Sequence, residues 1–162
     1  MIVNVAELKR SSGSVLELPL YLKPEHMEHL RLLKPIVGTV RIANMGTRLQ
    51  ARVELETEIE LECVRCMISF SNSIVLEFCE YYSEASCPER EGSLELTEQD
   101  LETFTFSGDR LDLDEAIRQN MLLSVPAYPL CKEDCKGLCP GCGTNLNICS
   151  CGCSSGTAET ES

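Results

Sequence analysis

The chain is short of positive charge. Lys and Arg number 14 against 26 Asp and Glu, giving a net charge of −12 over 162 residues. A surface this acidic repels phosphate backbone, which excludes broad nucleic-acid binding as a main activity. No window approaches the roughly 18 uninterrupted apolar residues of a membrane span. The opening MIVNVAELKR lacks the charged start and apolar stretch of a secretory signal. The expectation is therefore a cytoplasmic chain with no membrane partner. Also missing are a glycine-rich phosphate loop, a Gly-x-Ser-x-Gly nucleophile string and a His close to the cysteines that could act as a base. These absences point to a non-enzymatic protein with no small-molecule substrate.

The charge is uneven. Residues 1–50 carry seven basic and four acidic side chains, residues 51–107 three and fourteen, and residues 108–162 four and eight. The acidity belongs to the middle. Lys9, Arg10, Arg31, Lys34, Arg41 and Arg48 are the material for a small basic patch, although a solvated surface of scattered charges accounts for them as well.

What the chain does have is cysteine: eleven in all, seven of them between Cys131 and Cys153. In a reducing compartment clustered thiols favour metal over disulfides.

The expected fold class is α+β. Residues 1–6, 15–22 and 36–43 read as strands. From Leu49 to Leu61 apolar residues (with Thr57) occupy the odd positions and Gln, Arg and Glu the even ones. Period two over this length is a long strand with one face buried and one in water. Alternation resumes over 68–78, so the intervening Cys63-Val64-Arg65-Cys66 sits at the tip of a long antiparallel hairpin. Pro24 opens a helical stretch expected to run to Lys34, carrying His26 and His29 on an exposed face. Residues 83–109 read as a polar excursion with one helical turn near 97–103. A covering helix is expected over 112–125, capped by Asp112 with Glu115 completing a capping box, and with Leu113, Ala116, Ile117, Met121 and Val125 on its apolar face. The domain organisation follows: a sheet domain over 1–130, a cysteine-rich metal-organised segment over 131–153, and a disordered tail over 154–162.

The segment 131–153 has few large apolar residues, so a metal must organise it. Its Cys139-Pro140-Gly141-Cys142-Gly143 string has the form of a zinc knuckle: two thiolates two residues apart grip one ion from a tight turn. A four-thiolate site needs a second pair. Cys131 with Cys135, Cys149 with Cys151, and Cys63 with Cys66 are on offer. These eight residues make two full sites, and the ion count is two if the hairpin pair joins the tail and one if it does not. Cys153 reads as spare, and Cys79 and Cys87 as unpaired thiols. All-thiolate ligation suits structural zinc, with an iron–sulfur cluster as the alternative metal centre. A thiol-based redox switch, a zinc-dependent enzyme or a metal donor is the alternative function.

Four stretches together resemble one family. They are the start IVNVAELKR, the hairpin-borne CVRC, the run LDLDEAIRQNMLLSVPAYPLC and the tail CKEDCKGLCPGCGTNLNICSC. They resemble the YceD family of large ribosomal RNA subunit accumulation proteins over roughly residues 1–151. The resemblance implies a non-enzymatic factor of ribosome biogenesis that supports large-subunit rRNA accumulation. It matches Cys63 and Cys66 to the family's CxRC string, and Cys131, Cys135, Cys139, Cys142, Cys149 and Cys151 to its cysteine-rich tail. The partner expected from charge is a basic ribosomal or assembly protein, met by the glutamate face of Glu54 to Glu62, with structured rRNA engaged indirectly.

Overall fold

The computed structural model describes residues 1–27, 30–85 and 103–153. The long alternating stretch forms β4 (Leu49–Glu62), paired antiparallel with β5 (Ser69–Glu84) from Leu49 opposite Tyr82 to Glu62 opposite Ser69. Every odd position from Leu49 to Ile59 is buried. Arg52, Glu54, Glu56 and Glu62 face water, while Gln50, Glu58 and Glu60 are half-buried. Thr57, the polar residue on the inner face, donates its hydroxyl to the Lys34 carbonyl at 2.9 Å, so its burial leaves no orphan donor.

β2 (Val15–Leu22) and β3 (Ile36–Asn44) extend this hairpin antiparallel on one side, and β6 (Thr103–Phe106) adds on the other, giving the order β2-β3-β4-β5-β6. β1 (Ile2–Asn4) and β7 (Arg110–Asp112) pair in a separate ribbon. The ribbon, the single turn α1 (Ala6–Lys9) and the helix α2 (Asp114–Ser124) cover one face of the sheet. From them Val3, Leu8, Leu111, Leu113, Ala116, Ile117 and Met121 meet Val40, Ile42, Val53, Leu55 and Ile59 in one core. Burying such apolar surface is the main source of the sheet's stability.

Four expectations are corrected. The helical stretch from Pro24 shrinks to a 3₁₀ turn at Pro24–His26. Residues 30–34 instead lie along β4, because β3 leaves positions 58–60 without a neighbour. Leu33 N–H donates to the Glu58 carbonyl at 2.7 Å, Glu60 N–H donates to the Arg31 carbonyl at 2.8 Å, and Leu32 sits opposite Ile59. The polar excursion contains a strand: β6 pairs parallel with β5, and Phe104 stacks on the buried Tyr82. β5 itself continues to Glu84, six residues beyond the expected end. Finally, α2 starts later than its capping pattern implied. Leu113 holds the cap position, Asp112 accepts the Asp114 N–H at 3.0 Å, and Glu115 turns to Arg118 and Gln119. His29, Cys87, the turn expected near 97–103 (apart from Thr103, which opens β6) and the tail 154–162 lie outside the described residues.

The candidate basic patch does not converge. Arg31 pairs with Glu60, Lys34 with Glu58 at 2.5 Å and Lys9 with Glu84 at 2.7 Å, while Arg48 lies over the Tyr81 ring. Each of these cations is engaged by a neighbouring carboxylate or ring.

Gly38 marks the closest approach of β3 to β4. A Cβ there would stand 2.0 Å from the Glu54 carbonyl oxygen and 2.8 Å from Leu55 Cα, both backbone atoms that cannot rotate away. Gly38→Ala is therefore expected to cost about 1–3 kcal/mol in urea unfolding, whereas a cost near zero would show that the strands separate freely at this point.

Candidate metal centre

The hairpin tip delivers the first pair of sulfurs. β4 ends at Glu62, and the turn from Cys63 is closed by Cys63 N–H to the Ile68 carbonyl at 3.0 Å and Met67 N–H to the Cys63 carbonyl at 2.9 Å. Met67 holds φ at +56°, a left-handed conformation uncommon outside glycine. After α2 the chain leaves in extended conformation at Val125, and Val64 N–H donates to the Pro129 carbonyl at 3.0 Å. That bond lays the start of the tail against the hairpin tip and brings Cys131 and Cys135 over Cys63 and Cys66.

The four sulfurs Cys63, Cys66, Cys131 and Cys135 lie within 4.8 Å of one another. Cys63 Sγ is 3.7 Å from Cys135 Sγ, and Cys66 Sγ is 3.6 Å from Cys131 Sγ. Zn–S bonds of about 2.3 Å give a tetrahedron with edges of about 3.8 Å. A disulfide needs about 2.05 Å. An iron–sulfur cluster places several irons and sulfides between its thiolates and spreads them farther than one ion does. The spacing fits a single four-coordinate ion. Cys63, Cys66 and Cys135 are buried, with Phe70, Leu130 and Cys131 packed around them as a small cluster apart from the main core.

A second group follows at once in sequence. Cys139, Cys142, Cys151 and Cys153 also have sulfurs within 4.8 Å of one another. The Cys139–Thr144 turn is closed by Gly143 N–H to the Cys139 carbonyl and Cys139 N–H to the Thr144 carbonyl, both 2.8 Å, and Gly143 has φ of +72°. Gly143 thus stands after its Cys-x-x-Cys pair where Met67 stands after the first. The two turns share one construction, written with glycine in the tail and with methionine at the hairpin. Cys142 and Cys153 are exposed, so this group is more open than the first.

Local amides tune the sulfurs. Burial pushes the Cys63 thiol up, but the amides of Cys131, Arg65 and Cys66 more than reverse this and bring it down to about 6. The Thr144 hydroxyl and amide, aided by neighbouring thiols, bring Cys142 down to about 6 as well, with the hydroxyl 3.2 Å from the sulfur. Burial and the thiols of Cys66, Cys135 and Cys63 push Cys131 up to about 12, and Cys139 leads the groups that push Cys151 up to about 11. Four thiols this close cannot all ionise unaided, because each thiolate raises the next. Arg65, inside the hairpin turn, directs its guanidinium to the Cys135 carbonyl at 3.0 Å rather than to a sulfur. A metal ion would supply the counter-charge for all four to ionise together.

Asn147 ties the groups to each other. Its Nδ2 lies 3.3 Å from Cys135 Sγ and donates to Asn145 Oδ1 at 2.9 Å, while its Oδ1 accepts the Lys136 N–H at 2.9 Å. One side chain therefore reaches a ligand of the first group and the linker to the second. Reading by cysteine spacing misses it, although it lies in the GTNLN string after the knuckle.

Of the eight residues expected as ligands, the structure brings together Cys63, Cys66, Cys131 and Cys135 in one group, and Cys139, Cys142 and Cys151 in the other. Cys149 stays outside and exposed, and Cys153, read as spare, takes the fourth position. The backbone explains the exchange. The amides of Ile148 and Cys149 both donate to the Asn145 carbonyl at 3.1 Å, a closed turn that keeps Cys149 outside the second group. Spacing alone does not separate the alternatives, since 149 to 151 and 151 to 153 are both Cys-x-Cys. Cys79 is exposed on β5, away from both groups.

Fold and site define an α+β protein that carries two four-cysteine groups, one at its hairpin tip and one in its tail, each fit for one metal ion. The chain belongs to the YceD family: the model described as "Large ribosomal RNA subunit accumulation protein YceD" matches residues 51–161, a span that holds all eight grouped cysteines. Among curated proteins it is similar to uncharacterized proteins of Mycobacterium bovis and Mycobacterium tuberculosis, each 25% identical over 151 residues, covering 90% of this chain and 70% of theirs. A Mycobacterium leprae protein, also uncharacterized, is 28% identical over 87 residues, covering 54% of this chain and 38% of its own. No solved structure matches.

The exchange of Cys149 for Cys153 gives a direct test. Cys153→Ser is expected to lower the metal content of the purified protein by one ion per chain, and Cys149→Ser to leave it unchanged, as measured by elemental analysis. The reverse result would restore Cys149 as the ligand.

Proposed function

We propose that the chain is a non-enzymatic, cytoplasmic factor that supports large-subunit rRNA accumulation by binding, with two structural zinc ions. The observation that carries the reading is the closure of both groups: each presents four sulfurs to one position, with all four ligands from the protein. Such a site leaves no coordination position for water or substrate, which argues for structure over metal-assisted hydrolysis. Zinc is favoured because closed all-thiolate tetrahedra suit it.

The partner favoured by charge is a basic ribosomal or assembly protein. Four thiolates around one divalent ion keep an excess of negative charge, so loading adds to an already acidic molecule. Contact with rRNA is then indirect, through that protein. No helix among the described residues is long and apolar enough to cross a membrane. The exposure of Cys142 and Cys153 favours a second reading, in which the outer group is a thiol switch or donates its metal.

One set of measurements separates these. Native protein purified without chelator is expected to carry two zinc ions per chain. Cys63→Ser and Cys139→Ser should each lose one, and the hairpin should survive in Cys139→Ser because the main core includes no residue of the tail. Tagged protein should co-sediment with large-subunit precursors and keep its zinc under mild peroxide. Reversible zinc release with a defined disulfide, and no association with precursors, would favour the switch instead.

A further inference from the structure

Among the described residues one face of the five-stranded sheet is left open, and the strand register fixes what stands on it. Tyr21, Val37, Glu56 and Val75 form one row across β2, β3, β4 and β5. Pro19, Thr39, Glu54 and Glu77 form the next. Tyr21 is 63% and Val75 82% exposed, on strands whose other faces are buried. Some of the charges on this face are paired within it. Lys34 takes Glu58, Arg31 takes Glu60 and Arg52 takes Glu77. Among the described residues Glu54 and Glu56 enter no ion pair, and both are exposed. Beside Glu56, a shallow cavity of about 180 Å³ is lined by Lys34, Pro35, Val37, Ser73 and Val75.

We propose that this stripe docks an extended, cationic protein segment, with two Lys or Arg side chains on Glu54 and Glu56 and an aliphatic side chain in the cavity beside Val75. The inference rests on the reading of a basic protein partner and narrows the glutamate face to Glu54 and Glu56, which enter no ion pair and of which Glu56 lines the cavity; Glu62, also unpaired among the described residues, stands apart at the hairpin tip. Spacing supports it. Glu54 and Glu56 are two residues apart on one strand, about 6.8 Å, which is also the repeat of same-side residues in an extended chain. A segment laid along β4 thus matches them with basic residues at alternate positions and sets its next same-side residue over the cavity. Opposite charge selects against RNA, and the exposed Val75 gives an anchor that charge alone lacks.

The test uses the full chain and a labelled peptide, Ser-Lys-Ser-Lys-Ser-Ile-Ser, followed by fluorescence anisotropy. Controls replace its Ile with Ser or place the two Lys side by side. Wild-type protein should bind the first peptide at least about threefold tighter than either control. Glu54→Lys with Glu56→Lys should weaken it by about tenfold or more, and Val75→Ser should abolish the advantage of Ile over Ser. Glu54→Gln with Glu56→Gln gives a milder variant should charge reversal disturb the sheet, and unchanged melting temperatures confirm the fold. Equal binding of all three peptides, no binding up to about 1 mM, or a preference for a single-stranded oligonucleotide would overturn the proposal. So would self-association that Val75→Ser removes, since the occupant would then be a second copy. Co-sedimentation with precursors is scored in parallel. If the charge-reversed variant still co-sediments and the peptide fails, this docking site falls and the functional reading stands. If wild type binds the peptide and never co-sediments, the site stands and that reading falls.

Discussion

Like-charge repulsion among sulfurs is the constraint on which the cysteine-rich C-terminal segment depends. Residues 131–153 have few large apolar side chains, and Cys135 and Cys139 are their only members with apolar burial comparable to a core position. Such a segment has little hydrophobic energy to offset the entropy of ordering it. Its sulfurs nevertheless converge twice, each time four within 4.8 Å. Without a cation that convergence is limited by the repulsion of each new thiolate, and with one it becomes the main favourable term. The sheet does not share this dependence, since its core draws on residues from Val3 to Met121. The molecule thus joins a conventionally stabilised sheet domain to a short cysteine-rich segment whose sulfurs could be ordered by metal, and the hairpin tip is the joint.

The joint explains why β4 and β5 are so long. A 14-residue strand paired with a 16-residue one carries Cys63 and Cys66 to the tip, where Cys131 and Cys135 descend from the end of α2. Val64 to Pro129, and Leu138 to Arg65, are backbone bonds of 3.0 Å that hold tail to tip beyond the sulfurs themselves. Gly137, at φ +74°, allows the second contact, for a Cβ there would stand 3.0 Å from the Arg65 carbonyl. Asn147 then couples the tip-bound group to the outer one. The open acidic face of the sheet remains clear of all this machinery.

Where one physical signal dominated, the sequence was readable. The Leu49–Leu61 alternation gave strand and buried face together, because period two on a half-buried strand has no competing reading. It also put CVRC at the turn, but which second pair joins Cys63 and Cys66 was open in the sequence, and the structure supplies Cys131 and Cys135. The rest needed tertiary information. The TFTF of β6 is too short to stand out, and its parallel pairing depends on a connection the pattern does not describe. Residues 30–34 carry helical spacing, but vacant hydrogen-bonding groups on β4 drew them into extended pairing. Asp112 has the residue type of a cap, but it stands one position before the cap, which Leu113 holds. Cys149 and Cys153 were indistinguishable by spacing, and only the turn at Asn145 decides between them. Met67 gave no sign of a left-handed residue, because the pattern associates that role with glycine.

The central claim is that two closed tetrathiolate ions organise the tail against the hairpin. X-ray absorption at the zinc edge of the native protein tests it most directly. The account predicts a single shell of four sulfurs at about 2.3 Å, with no nitrogen or oxygen in the shell, at a stoichiometry of two zinc ions per chain. A mixed shell with nitrogen or oxygen, or a metal-free protein whose tail resists protease, would contradict it.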